Sequence, residues 1–256
     1  MLLTNKNIVI MGIANERSIA WGVAKSLHEQ GARLIFTYRK ERSLLKLQQL
    51  LEKEQIPAAA IVCCDVDNDE SITAAFQEIG TKVGVLHGLV HSIAYAEKEE
   101  LQGEYADTTR EGYLTAQNAS AYSFVAVARE AKRLMTEGGS IVTQSYIGAE
   151  RVMKNYNVMG VAKAALEASV RYLAEDLGKY NIRVNAVSAG PIRTLAAKGV
   201  SGFNDIMNVI EERAPLRRNI DQSEVGDATM FLISHLSRGI TGEVLHVDAG
   251  YHIIGM

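Results

Sequence analysis

The feature that most constrains the fold of this chain is an alternation of short apolar runs with longer stretches of helical composition. The apolar runs are too short and too uniformly apolar for amphipathic helices, which makes them candidates for strands buried on both faces. They lie at 7–11, 33–37, 59–64, 86–91, 140–143, 182–187 and 244–247, and the helical stretches lie at 19–30, 41–54, 69–82, 108–134, 156–180 and 222–234. This order predicts an α/β Rossmann fold, a doubly wound parallel sheet of about seven strands with helices on both faces.

The length of the chain fits one large domain. Its 256 residues can bury a sizeable core, and its three prolines, Pro57, Pro191 and Pro215, all fall where predicted elements end. No linker, repeat or low-complexity tract interrupts the pattern. We therefore expect a single domain over 1–256.

Composition excludes several classes of partner. The formal net charge of -3 and the pI near 6.1 give no general basic surface, so nucleic acid is not expected as a partner. No apolar run approaches the length of a membrane span, and the run at 8–13 is too short for a signal peptide, so we expect a cytoplasmic protein with no membrane partner. The adjacent Cys63 and Cys64 would point to opposite faces of a strand, so we expect two small buried residues, with no disulfide and no metal site.

The pair Tyr156 and Lys163 is the first candidate for chemistry. The two residues are seven positions apart in a stretch predicted to be helical, so their side chains would leave one helix face about 10.5 Å apart along the axis. A phenol and an ammonium in this arrangement could contact one ligand at two points. Taken alone, the spacing also fits a core tyrosine and a surface lysine.

The turn after the first predicted strand is a candidate phosphate loop. Gly12 ends the strand, and Ser18 and Ile19 open the following helix, whose first amides can hold the charge of a pyrophosphate. The loop lacks the middle glycine of the G-x-G-x-x-G fingerprint and is longer than it. The alternative is an ordinary glycine turn in which Ser18 caps the helix.

The end of the second predicted strand indicates which dinucleotide would bind. This position usually contacts the adenosine ribose, where an acidic side chain favours NAD and an arginine accommodates a 2′-phosphate. Here Arg39 and Lys40 are adjacent cations, and no acid occurs before Glu41. The sequence therefore predicts a preference for NADPH, with NADH also possible. The alternative is a solvated basic helix start.

Over essentially all 256 residues, the chain resembles the short-chain dehydrogenase/reductase superfamily and, within it, the NAD(P)H-dependent bacterial enoyl-acyl carrier protein reductases. Several motifs would have to coincide by accident for this resemblance to mislead. The motifs are the phosphate loop at 12–22, Cys64-Asp65-Val66, His91-Ser92-Ile93-Ala94, the set Tyr146, Tyr156 and Lys163, the run 188–194, and the tail residues 241–243 and 247–250.

The resemblance implies a role for each matching position. Tyr146, Tyr156 and Lys163 would be catalytic, and Ala96, Tyr146 and Tyr156 would contact substrate. The implied cofactor contacts are Gly12, Ser18 and Ile19 at the pyrophosphate, Asp65 and Val66 at the adenine, Ile93 and Lys163 at the nicotinamide ribose, and Ile192, Arg193 and Thr194 at the nicotinamide carboxamide and phosphates, with Arg39 and Lys40 from the argument above.

The spacing of the tyrosine and the lysine indicates the reaction. Most carbonyl reductases of this superfamily place Tyr four residues before Lys and Ser thirteen residues before that Tyr, whereas this chain has Met159 and Tyr146 at those positions. Reduction of a 2-enoyl thioester delivers hydride to C3 while charge develops on the more distant thioester oxygen. Moving the hydroxyl from four to seven positions before Lys163 shifts it by about 4.5 Å, away from the hydride acceptor. Tyr156 would then hydrogen-bond the enolate oxygen, and Lys163 would bind ribose and add positive potential.

Two other functions are kept as alternatives. One is a short-chain carbonyl reductase, such as a 3-oxoacyl-acyl carrier protein reductase, which Met159 disfavours. The other is a cofactor-binding regulator without catalysis, which the joint presence of Tyr146, Tyr156 and Lys163 disfavours. Tyr146 alone could also be plain wall packing.

The remaining expectations concern substrate and partners. A substrate-binding loop and helix segment is expected at about 192–214, where the small apolar run 195–203 fits either a lid over an acyl chain or a short helix packed on the sheet. Lys198 is a candidate contact for acyl carrier protein. The resemblance implies a homotetramer built on the helical stretches 108–134 and 156–180.

Overall fold

A computed structural model describes residues 1–195, 197 and 202–255 of the chain. The buried apolar runs form one sheet of seven parallel strands, which confirms the predicted fold class. The first and last strands have the predicted bounds, and the others differ only at their ends. The strands are β1 (Asn7–Met11), β2 (Arg33–Tyr38), β3 (Ala58–Cys63), β4 (Gly88–His91), β5 (Gly139–Ser145), β6 (Ile182–Ala189) and β7 (Val244–Val247).

The order of the strands places a crevice above the middle of the sheet. The order is β3-β2-β1-β4-β5-β6-β7, so the chain builds outward from β1 to β3 and then crosses back to β4 beside β1. Met11 and His91 are register partners at the carboxyl ends of β1 and β4. In open parallel sheets, ligands bind outside the carboxyl ends at this reversal of strand order.

Helices cover both faces of the sheet. They are α1 (Ile19–Glu29), α2 (Glu41–Lys53), α3 (Asp69–Val83), α4 (Arg110–Gln117), α5 (Ser123–Leu134), α6 (Asn157–Gly178), α7 (Phe203–Arg213) and α8 (Gln222–Ile233). Because successive strand residues point to opposite faces, β1 sends Ile8 and Ile10 into a core layer with α1, α2 and α8. Val9 and Met11 enter the other layer, with α3, α5 and α6.

Three expectations about local structure are corrected. The stretch 108–134 is helical from Arg110 to Leu134, but a π-helical turn at Asn118–Tyr122 interrupts the regular α-helical winding between α4 and α5. The buried Ser120 in this turn bonds the backbone of another loop, a contact that regular helical winding would not supply. The helix after Tyr156 begins one residue later than predicted. Cys64 is buried as expected, but Cys63 is exposed because it lies at the very end of β3.

Candidate functional site

A cavity of about 600 Å³ opens at the carboxyl ends of the strands, where the strand order reverses. It is lined by residues that follow β1, β4, β5 and β6, together with the start of α6 and α7. Ten of the predicted site residues line it: Gly12, Ser18, Ile19, Ile93, Ala96, Tyr146, Tyr156, Lys163, Ile192 and Thr194. The volume is typical of a small-molecule or cofactor site, and the lining combines the predicted pyrophosphate and nicotinamide residues with the two tyrosines.

The two tyrosines stand together in this cavity. Tyr156 occupies the N-cap position of α6, and the ring of Tyr146 meets its ring edge-on with centroids 4.9 Å apart. Asn157 holds the start of the helix, since its Nδ2 donates to the carbonyl of Gly103 at 3.2 Å. Burial raises the pKa of both phenols above the ordinary value, so both carry their protons at neutral pH.

Lys163 lies two turns along α6 and is almost completely buried, with 6% of its surface exposed. Its Nζ donates to the carbonyl oxygen of Gln144 at 2.7 Å. Burial lowers the pKa of the ammonium to about 8, and the negative charge of Glu167 acts in the opposite direction. The group therefore remains mostly charged at neutral pH, close to its titration range.

Met159 lies between these two residues and also lines the cavity. The residue is 5% exposed, and its sulfur lies 3.6 Å from the Ser120 hydroxyl oxygen. A thioether cannot donate a proton. The position from which a superfamily carbonyl reductase would present a phenol thus offers no acid.

The loop after β1 forms a close backbone cradle. Gly12 has a φ of 95°, and a Cβ at this position would lie 2.1 Å from the carbonyl oxygen of Ser92, so only glycine fits. Ser18 stands at the N-cap position of α1 but does not cap that helix. Its Oγ instead accepts from the amides of Ala14 and Asn15, at 3.0 and 3.1 Å, and so shapes the loop. A tight glycine, a shaped loop and a helix N-terminus fit the pyrophosphate of NAD(P)H.

The residues predicted at the adenosine end lie outside the cavity lining but close to one another. The guanidinium of Arg39 donates through Nε to Asp65 at 3.0 Å and through Nη2 to Asp67 at 2.9 Å, with about half of its side chain exposed. Lys40 is exposed at the N-cap position of α2, and Val66 is buried. The ends of β2 and β3 thus bring the predicted cation and the predicted adenine contact together.

One residue predicted at the nicotinamide end does not line the cavity. Arg193 is exposed, and its Nη1 donates to Asn204 Oδ1 at 2.7 Å, while its neighbours Ile192 and Thr194 face inward. Lys198 lies outside the described residues, together with most of the run that was predicted as a lid. The described part of the segment at 192–214 contributes Leu195, Ala197, Phe203 and Ile206 to the lining.

Several lining residues were not predicted, among them Ser92, Gln144 and Ser145. Ser92 and Gln144 each have a buried side-chain oxygen without a hydrogen-bond partner in the described structure. Ser92 directly precedes Ile93 in the motif His91-Ser92-Ile93-Ala94, so the sequence already placed it next to a predicted cofactor contact. The contacts of Gln144 and Ser145 with α6 depend on the packing of β5 beside that helix.

Within the part of the chain that the structure describes, no group of three or more His, Cys, Asp or Glu side chains is arranged to hold a metal ion. No helix in the same residues is long and apolar enough to cross a membrane.

The chain is similar to known proteins over almost its whole length. A family model described as enoyl-(acyl carrier protein) reductase matches residues 12–252. An enoyl-[acyl-carrier-protein] reductase [NADH] of Bacillus cereus is 60% identical over 99% of both chains, and one of Staphylococcus aureus named for NADPH is 60% identical over 98% of both. The solved B. cereus enzyme with NADP+ and an indole naphthyridinone covers 100% of this chain and 99% of its own, with a TM-score of 0.98. The solved Anaplasma phagocytophilum enzyme with NAD is 49% identical to this chain, with a TM-score of 0.95. The match covers 100% of this chain and 97% of the A. phagocytophilum chain.

Proposed function

This chain belongs to the enoyl-(acyl carrier protein) reductase family, and we propose that Tyr156 and Lys163 carry its reaction, the NAD(P)H-dependent reduction of the trans-2 double bond of an enoyl thioester on acyl carrier protein. This reduction is the last step of each fatty-acid elongation cycle. One observation carries the assignment of roles. The cavity presents the Tyr156 phenol and the Lys163 ammonium, with a methionine between them where a carbonyl reductase needs its acid.

Tyr156 acts on the oxygen of the substrate. When bound, NAD(P)H supplies the hydride that adds to C3 of the enoyl group. Negative charge then develops on the thioester oxygen, and the neutral Tyr156 phenol donates a hydrogen bond to it. A positioned donor of this kind is worth about 3 kcal/mol of transition-state stabilisation. Tyr146, packed edge-on against Tyr156, holds that ring in place and forms the acyl wall.

Lys163 acts on the cofactor from a position two turns along the helix that Tyr156 begins. Its ammonium is fixed by the Gln144 carbonyl and retains further donor hydrogens, which can bind the hydroxyls of the nicotinamide ribose. The same charge adds positive potential near the developing enolate. Gly12, Ser18 and Ile19 hold the pyrophosphate, and Ile93, Ile192 and Thr194 enclose the nicotinamide end.

We further propose that NADPH is preferred to NADH. The support is the pair Arg39 and Lys40 at the end of β2, two cations that can receive a 2′-phosphate. Arg39 is already bonded to Asp65 and Asp67, so a phosphate would have to share it. Relatives of equal identity are named for NADH in one case and NADPH in the other.

The preference is tested on the two cations. In the double variant Arg39→Ala/Lys40→Ala, the KM for NADPH should rise about tenfold while that for NADH hardly changes, because only NADPH carries the 2′-phosphate. Lys53→Ala, at the far end of α2, is the matched control. Equal rates of the wild type with both cofactors at matched concentrations, or faster turnover with NADH, would refute the preference.

The remaining parts of the proposal concern substrate and assembly. The chain is proposed to act as one domain over 1–256, with the segment at about 192–214 and Ala96 forming the acyl-binding wall. Acyl carrier protein delivers the substrate, and the protein acts in the cytoplasm as a homotetramer. The exposed Leu114 on α4 and Tyr172 on α6 support packing between copies on these helices.

The reaction is tested by following NADPH and NADH absorbance with a trans-2-enoyl thioester and, separately, with the matching 3-oxoacyl thioester. Consumption only with the enoyl substrate is expected. Consumption only with the oxoacyl substrate would favour the carbonyl-reductase alternative. Cofactor binding without consumption of either would favour a regulator.

A further inference from the structure

Glu167 is a buried carboxyl group that the reaction described above does not use. It lies on α6, one turn after Lys163, and is only 6% exposed. Its Oε1 accepts a hydrogen bond of 2.5 Å from the Ser145 hydroxyl. Burying a carboxyl group costs several kcal/mol unless it is bonded or paired, so an apolar residue would be the ordinary occupant of this position.

The hydrogen bond reaches the centre of the site. Ser145 is the last residue of β5, between Gln144, whose carbonyl holds the Lys163 ammonium, and Tyr146, whose ring packs against Tyr156. Both contacts come from the same short piece of backbone. A hydrogen bond that holds Ser145 in place therefore also holds the Gln144 carbonyl and the Tyr146 ring.

The charge of Glu167 also acts on Lys163. Burial lowers the pKa of Lys163, and the Glu167 carboxylate is the group that opposes this effect. Burial in turn raises the pKa of Glu167, while the Ser145 hydroxyl favours its ionised form. The other charged groups that face it are Glu150, which raises its pKa, and His246 and Arg171, which lower it.

We propose that Glu167 is a positioning residue of the reductase: through Ser145 it fixes the strand end that holds Lys163 and Tyr146, and its carboxyl group, four residues after Lys163 on α6, places a negative charge on the helix face that carries the ammonium. The inference rests on the proposed role of Lys163 in binding NAD(P)H. It adds to that role the group that maintains the charge of the lysine.

The test separates charge from shape. Glu167→Gln can accept the same hydrogen bond from Ser145 but has no charge. The dissociation constant of NADPH, measured by cofactor fluorescence across pH, should show its alkaline loss of affinity moved to lower pH by about one unit. The alkaline limb of kcat/KM should move with it. Glu52→Gln, an exposed change of equal charge on α2, should leave both profiles unchanged.

Ser145→Ala makes the complementary change. It leaves the carboxylate in place and removes the hydrogen bond, so kcat should fall severalfold while the alkaline limb stays at the wild-type pH. If the alkaline limb of Ser145→Ala moved as far as that of Glu167→Gln, the charge effect could not be assigned to Glu167.

Two outcomes are decisive. A folded Glu167→Gln variant with the wild-type pH profile of NADPH binding would overturn the inference. If that variant does not fold, Glu167→Met, of similar volume and without a charge to bury, is measured in its place with the same expected shift. The NADPH-binding readout does not need turnover, so failure of the reductase assay in the wild type would count against the proposed function and not against this inference.

Discussion

Burial has opposite effects on the titration of the two site tyrosines and of Lys163. Removal from water disfavours the charged form of each group, so it raises the pKa of the Tyr146 and Tyr156 phenols and lowers that of the Lys163 ammonium. At neutral pH the phenols are neutral donors and the amine is largely a cation. This combination suits a site in which negative charge appears on the substrate and positive charge must already be present.

The role of Tyr156 predicts a specific loss of turnover. Tyr156→Phe keeps the ring and its contact with Tyr146 but removes the donor to the enolate oxygen. We expect kcat on an enoyl thioester to fall about 100-fold, with a much smaller change in cofactor affinity. Tyr172→Phe, which makes the same chemical change on α6 at a position 79% exposed, should retain kcat. Near-normal turnover of Tyr156→Phe would show that another group stabilises the enolate.

The pKa of Lys163 predicts the pH dependence of cofactor use. The ammonium exists below its pKa of about 8, so kcat/KM for NADPH should be steady near pH 7 and fall as the pH rises through about 8. Lys163→Ala should mainly raise the KM for the cofactor. Lys163→Arg, which stays protonated, should move the fall to higher pH. A wild-type profile that is flat from about pH 7 to about pH 9.5 would contradict a need for this charge.

At the scale of elements, the π-helical turn between α4 and α5 is bonded to the loop after β4, which lines the cavity. Its fully buried Ser120 accepts from the amide of Tyr95 at 2.9 Å and donates to the carbonyl of the same residue at 3.0 Å. The turn therefore holds the loop that carries Ala96 to the cavity wall. A regular helix through 118–122 would rotate the hydroxyl away from that loop.

Removing this hydroxyl should loosen the loop. Ser120→Ala leaves the Tyr95 amide and carbonyl without their partner, which we expect to cost about 1–3 kcal/mol of unfolding free energy and to raise the KM for enoyl thioester severalfold. Urea denaturation and steady-state kinetics measure the two effects. Ser169→Ala is the matched control, because among the described residues the Ser169 hydroxyl bonds the carbonyl of Ala165 within its own helix. Equal substrate KM values in the two variants would show that the turn does not support the loop.

At the scale of the whole molecule, the reversal of strand order brings two distant loops into backbone contact. The loop after β1 and the loop after β4 meet at Gly12 and Ser92, so closely that no side chain fits between them. Gly12 and Ser92 both line the cavity, so the proposed pyrophosphate site depends on this contact.

A methyl group at this contact should disrupt the site. In Gly12→Ala, the new Cβ meets the Ser92 carbonyl and the residue must also hold a positive φ, so we expect a loss of about 3 kcal/mol of stability and of most NADPH affinity. Gly239→Ala, where nothing lies within 4 Å of the added Cβ, should change neither. Thermal unfolding with and without NADPH measures both quantities. Tight cofactor binding by Gly12→Ala would mean that the two loops can separate without harm to the site.

The sequence by itself determined the strand and helix alternation, the parallel sheet and the reaction class. Apolar periodicity records which faces are buried, and the spacing of Tyr156 and Lys163 is local to one helix, so neither needs long-range information. Because these signals are local, they did not predict two details of the structure. The π-helical turn and the exposure of Cys63 depend on neighbours that periodicity does not record.

Only the tertiary structure decided which groups surround Lys163. Gln144 and Ser145 come from β5 and Glu167 from the next turn of α6, and the contacts between the strand and the helix span sequence separations that no motif covers. Arg39 likewise reaches Asp65 only because β2 and β3 are neighbours in the sheet. Hydrogen bonds and burial act between atoms that folding brings together, so the electrostatic tuning of this site is a property of the fold and not of any local stretch of sequence.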